Sequence, residues 1–121
     1  MPSLRFGTTL AYRIEITLPA RGDARAYAAF IRDEHRSPEA ARRWLDGLYS
    51  AIAELADAPN RFAVIPEAEE PGFPYRAFVY HSHRVVYAVH EAEGRVMIHR
   101  IYHGARRPLT AQELSELPHD G

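Results

Sequence analysis

Apolar and polar positions change period along the chain, and the changes mark its elements. From Ala11 to Leu18 they alternate, with Tyr12, Ile14, Ile16 and Leu18 on one side and Arg13, Glu15 and Thr17 on the other, as in a half-buried strand. Pro19 and Gly22 are expected to end that strand, and Asp23 to cap a first helix reaching about Arg36, with Tyr27, Phe30 and Ile31 on its apolar stripe. Ser37-Pro38-Glu39 predicts a second start: Ser caps, Pro suits the first turn, and Glu favours the positive end of the helix dipole. Ala41, Trp44, Leu45, Leu48, Ile52 and Leu55 then recur at the spacing of one buried helix face until Asp57-Ala58-Pro59 stops it. Two helices joined this tightly form an antiparallel hairpin, whose apolar seam needs a sheet to cover.

Pro66, Pro71, Gly72 and Pro74 mark a loop from Asn60 to Pro74. Beyond it the period returns to two, over Tyr75–His81, His83–His90 and Arg95–His103. His81-Ser82-His83 leaves room only for a tight reversal, and Glu91 to Gly94 forms a polar turn with Gly where positive φ is cheap. After Pro108, Thr110 and Glu113 fit a capping box for a short terminal helix carrying Leu114 and Leu117. The expected fold is therefore α+β: an N-terminal strand, an antiparallel helical hairpin, then a three-stranded antiparallel meander. Both helices lie on one face of a single sheet and leave the other face open. We expect one domain over residues 1–121, with its core in 11–107 and a tail in 108–121.

Composition narrows the chemistry. With no Cys there are no disulfides or thiolate metal sites, and a reducing cytoplasm suits the chain. No apolar run approaches the roughly 20 residues of a membrane span, and Met1 to Leu10 lacks the apolar centre of a signal peptide. All 15 basic residues are Arg, and residues 73–107 hold six of them against two Glu, in a chain whose formal total is -1. That total argues against a general nucleic-acid coat protein, while a basic face made by Arg76, Arg84 and Arg106 would suit phosphate or carboxylate partners. His81/His83 and His99/His103 could each place two imidazoles on one strand face, but without a further ligand at suitable spacing neither pair predicts a metal. No cofactor is expected.

Three stretches carry a resemblance: SPEAARRWLDGLYSAIAELADAP, PYRAFVYHSHRVVYAV and RVMIHRIYHGARR. In this order they resemble the RelE/ParE superfamily of toxins from type II toxin–antitoxin systems, over Ala11 to Arg107. The resemblance implies a cytoplasmic bacterial toxin, of the kind known as plasmid-stabilisation proteins, neutralised by a cognate antitoxin. It also implies one of two targets: the ParE-like branch inhibits DNA gyrase, and the RelE-like branch cleaves messenger RNA in the ribosome. The ending Tyr102-His103-Gly104-Ala105-Arg106-Arg107 is similar to that of ParE-like sequences and favours gyrase. On the nuclease alternative, Arg84 matches the Arg that contacts the scissile phosphate, His103 a catalytic His, and Glu67 falls near a general base. RelE-like nucleases use Lys in this region, and this chain has none. On either branch Arg76, Arg84, Tyr102, Arg106 and Arg107 are expected to form the target- or antitoxin-binding surface. A degenerate member that only binds antitoxin is a third reading.

Overall fold

The computed structural model describes residues 11–66, 74–104 and 108–117. Four strands, β1 (Arg13–Ile16), β2 (Arg76–Tyr80), β3 (His83–His90) and β4 (Arg95–His103), make one sheet in the order β1-β4-β3-β2. The last three are the expected antiparallel meander, and β1 joins β4 in parallel, Arg13 opposite Arg95 and Ile16 opposite Ile98. The β2–β3 reversal puts His81 at φ 52°, so the strand stops at Tyr80. The turn before β4 is a single 3₁₀ turn, Glu91–Glu93, closed by Gly94 at φ 62°. Between Val86 and Tyr87 the register slips: their partners on β4 are Arg100 and Ile98, so His99 is an extra, bulged residue.

Helices α1 (Leu18–Glu34) and α2 (Pro38–Ala53) form the hairpin on one face. Ser37 caps α2 as expected, accepting from the Ala40 N–H at 3.0 Å. The start of α1 differs from the sequence reading. Thr17 is its cap, Pro19 sits in the first turn and Gly22 lies inside the helix. A first-turn Pro gives up no helical hydrogen bond, and one half-exposed Gly costs only about 1 kcal/mol, so neither breaks the helix. Nor is Tyr27–Phe30–Ile31 the buried stripe of α1. Ala20, Ala24 and Ala28 are, small enough to bring the helix close, while Phe30 is 47% exposed. Behind them Leu48, Ile52, Leu55, Phe78, Val85, Tyr87, Val96 and Ile98 fill the core, where the Tyr87 hydroxyl donates to the Pro59 carbonyl at 2.8 Å.

Asp23, one turn into α1, does something other than cap. β1 ends at Ile16, so the second half of β4 has no strand on that side. Thr17 covers the first of the open groups: its N–H donates to the Ile98 carbonyl at 3.0 Å and its hydroxyl to the His99 carbonyl at 2.8 Å. Asp23 covers the next, accepting from the Ile101 N–H at 2.8 Å and from Arg100 through Nε at 2.8 Å and Nη2 at 2.9 Å. A helix thus completes the sheet edge in place of a strand, and a bidentate guanidinium–carboxylate pair locks it there.

The far face of the sheet is not open as expected. Residues 108–117, including the short helix α3 (Ala111–Ser115), cross it. Leu109 and Leu117 are buried there with Ile65, Tyr75, Val86, Ala88 and Tyr102, and Leu114 is half-buried beside them. The predicted capping box is present, Thr110 Oγ1 accepting from the Glu113 N–H at 3.1 Å and Glu113 Oε1 from the Thr110 N–H at 2.9 Å. Arg100 Nη1 also reaches Glu116 at 2.9 Å, tying this segment to β4. The cause is legible in β3: Val86 and Ala88 make its second face apolar too, and such a strand needs cover on both sides. Asp23→Ala should lower the unfolding free energy in urea by about 2–4 kcal/mol, because it leaves an edge N–H without an acceptor and takes from the half-buried Arg100 guanidinium two of its three carboxylate contacts, sparing only Glu116. Asp23→Asn, which keeps one oxygen for Ile101, should cost clearly less; equal losses would contradict the edge-capping role.

Candidate functional site

Pleating sorts the predicted site residues onto two faces. Arg84 and Tyr102 are cross-strand partners and share the far face with Val86 and Arg100. Tyr102 is 8% exposed, beneath the 108–117 segment, and its hydroxyl has no hydrogen-bond partner among the described residues. Burial pushes that phenol up to about 12, and the Arg100 guanidinium lies 5.1 Å from the ring centre. Arg84 is half-exposed beside it.

Arg76 lies on the other side of the sheet. Its register partner is Tyr87, in the helix-side core, and its Nη1 donates to the Phe62 carbonyl at 2.6 Å and the Asn60 carbonyl at 3.4 Å. Arg76 therefore ties down the loop after α2 and does not join Arg84. Glu67, Arg106 and Arg107 lie outside the described residues.

His103 also belongs to the helix side. It sits opposite His83, with ring centres 4.9 Å apart, and is stacked at 5.5 Å on Tyr27 of α1. His83 is 3% exposed, with Tyr27 edge-on at 4.3 Å and Trp44 of α2 at 5.2 Å. Its Nδ1 lies 3.2 Å from the Ser82 hydroxyl. Tyr80 closes the group, 5.8 Å from Trp44, and its hydroxyl donates to the Trp44 carbonyl at 2.9 Å. That hydroxyl and ring pass against Gly47, where a Cβ would collide with them. An open pocket of about 420 Å³ lies in front, bounded by Asp23, Tyr27, Phe30, His83 and His103.

Burial, and after it the proximity of His103, holds His83 down to about 4 against a partial opposing pull from Asp23. His99 is likewise held down to about 4, by burial first and then by His90 and Arg95. The bulge turns His99 away from His103 and onto Tyr75, at 5.2 Å, so the pair expected on one strand face is split. His81 turns out of the strand and packs on Tyr80 at 4.5 Å, away from His83. Sequence reading missed the ring cluster around His83 because its members come from α1, α2, β2, β3 and β4. The usable signal was one aromatic on each helix, Tyr27 and Trp44, above a strand that opens with His.

A family model, the ParE toxin of the type II toxin–antitoxin system parDE, matches residues 14–108. None of the curated proteins matches the chain in sequence. Among solved structures, a chain of the chromosomal ParDE TA system from P. aeruginosa is similar, with TM-score 0.63 and 20% identity over 78% of this chain and 97% of that one. A chain of the toxin–antitoxin complex RelBE2 from Mycobacterium tuberculosis gives 0.55 and 22%, over 81% and 97%. The isolated E. coli RelE toxin gives 0.51 and 16%, over 87% and 97%. A helical hairpin on a four-stranded mixed sheet is thus the RelE/ParE toxin fold. The chain belongs to the ParE toxin family of type II toxin–antitoxin systems, as the match over most of its length shows.

Both depressed imidazoles make folding sensitive to acid. Their folded values lie below the ordinary 6.5, so the unfolded chain takes up protons first, and stability present at pH 7 is lost as pH falls from about 6.5 towards 4. Between pH 7 and pH 5 each should cost up to about 2 kcal/mol. His83→Phe, seated among Tyr27 and Trp44, should flatten that slope in urea unfolding; an unchanged slope would contradict the assignment.

Proposed function

We propose that this chain is the growth-inhibiting toxin of a type II toxin–antitoxin module, that it acts in the cytoplasm on DNA gyrase, and that a cognate antitoxin neutralises it. Family membership supports the toxin–antitoxin part of this reading. One observation favours gyrase over RNA cleavage: Arg84 and His103 leave the sheet on opposite faces. Cleavage by 2′-hydroxyl attack needs a cation on the scissile phosphate and a proton donor at the leaving oxygen of that same phosphate. A residue pair split by the sheet does not meet that need. In this reading Arg84, with Arg106 and Arg107, contacts the target or the antitoxin through charge, while Tyr102 supports that surface from below and Arg76, on the other face, holds the loop after α2.

Purified chain should block supercoiling by DNA gyrase in vitro, and its induced expression should stop growth with transcripts left intact. Arg84→Ala should weaken the block about tenfold or more while unfolding normally, as expected when one charged contact at a protein interface is removed. Transcripts cut at the ribosomal A site, with cutting lost in Arg84→Ala, would overturn the gyrase reading. Unimpaired growth would identify a member that binds antitoxin only.

A further inference from the structure

β3 opens with His83 and β4 closes with His103, and the sheet makes the two residues cross-strand partners. The Gly104 N–H donates to the Ser82 carbonyl at 2.8 Å and holds the strand ends together at this point. The imidazole ring centres lie 4.9 Å apart, with their planes at 50°. Two imidazoles bound to one ion through nitrogens about 2.1 Å from it, at roughly 90–110° to each other, have ring centres roughly 4.5–5.2 Å apart. The pair therefore already has the spacing of a chelate. His83 is also fixed in direction: Tyr27 meets it edge-on at 4.3 Å, Trp44 lies at 5.2 Å, and its Nδ1 is 3.2 Å from the Ser82 hydroxyl. A proton on Nδ1 donates to that hydroxyl and leaves the Nε2 lone pair for a metal, the usual outer contact of a metal-bound imidazole. Both rings bound the pocket of about 420 Å³ beside α1.

We propose that His83 and His103 chelate a divalent transition-metal ion, zinc in the first place, at the wall of this pocket. Sequence reading paired His81 with His83 and His99 with His103; the register and the β4 bulge bring His83 to His103 instead. Imidazole nitrogen selects ions such as Zn²⁺, Cu²⁺ and Ni²⁺ over Mg²⁺ and Ca²⁺, which prefer oxygen. His83, held down to about 4, is neutral at pH 7, the form that binds a metal. Asp23 lines the same pocket, but its carboxylate is committed to Arg100 and the Ile101 N–H. Among the described residues no group of three His, Cys, Asp or Glu is placed to hold an ion. The remaining coordination positions fall to water or to a ligand entering the pocket, so the site is open and exchangeable, unlike a closed structural one. Two imidazoles hold zinc with a dissociation constant on the order of 10–100 µM, far more weakly than four protein ligands. Zinc here requires nothing of the gyrase reading, since neither Arg84 nor the far face of the sheet takes part.

The test titrates Zn²⁺ into the full chain, free of any affinity tag, by calorimetry at pH 7, with Mg²⁺ as the control ion and the histidine ring signals followed by NMR. One Zn²⁺ should bind per chain and Mg²⁺ should not. The ring signals of His83 and His103 should move, while those of His35 and His81 stay in place. His103→Ala, at an exposed position and with folding checked by urea unfolding, should weaken zinc binding about tenfold or more, because one of two protein ligands is lost. His81→Asn removes the neighbouring imidazole with a residue that tolerates its positive φ, and should change binding by less than about twofold. Equal weakening by the two variants, binding unchanged in His103→Ala, or signal shifts confined to other histidines would overturn the site. So would no zinc binding by about 1 mM.

Discussion

One carboxylate determines how the two layers of this protein meet. Asp23 accepts three hydrogen bonds from β4, two from the Arg100 guanidinium and one from the Ile101 N–H, where β1 has already ended. The two side chains are only about a fifth exposed, so the pair is screened less than a surface ion pair and holds its geometry better. With Thr17 beside it, Asp23 makes α1 a substitute for the missing edge strand. That fixes the height and rotation of α1 and brings Tyr27 over His83 and His103, against Trp44 of α2. Arg100 carries the constraint through to the other face by its second carboxylate, Glu116.

The two-sided sheet gives the account its functional content. On the helix side, rings from four elements pack around His83 and keep it neutral. On the far side, Arg84 sits next to Tyr102 and the segment that covers it. Members of the RelE/ParE fold share the layered frame, so differences in activity must lie in which side chains a given chain brings to one face. In this chain the guanidinium and the imidazole that a nuclease would combine are one strand position apart in the register and point in opposite directions. Residues 109–117, which bury Tyr102, lie beyond the span matched by the family model.

Much of the fold was legible as period. β3 and β4 begin and end where alternation does, and α2 starts at the Ser-Pro-Glu signature, because each follows from local preferences acting alone. The start of α1 was not, because Pro19, Gly22 and Asp23 carry the same local signals whether they precede a helix or form its first turns. Only the distant, unpaired half of β4 decides which. The covered far face was half legible: the apolar second face of β3 announced a partner, but Leu109, Leu114 and Leu117 are too few to show where they dock. For the site, charge counting along 73–107 summed Arg76, Arg84 and Arg100 in one basic stretch and set Arg76, Arg84 and Arg106 on one face. Pleat and ion pairing separate them, Arg76 to loop carbonyls and Arg100 to Asp23 and Glu116. The bulge at His99 could not be read at all, since one inserted residue leaves no mark in a run of alternating β-formers.

The most direct test is amide hydrogen exchange at Ile101 under native conditions. With Asp23 as its acceptor, this N–H at a sheet edge without a neighbouring strand should exchange nearly as slowly as the core amides of β3, through near-global unfolding. Exchange as fast as that of an unprotected edge amide would contradict the clamp between α1 and β4, and with it the arrangement of both faces described above.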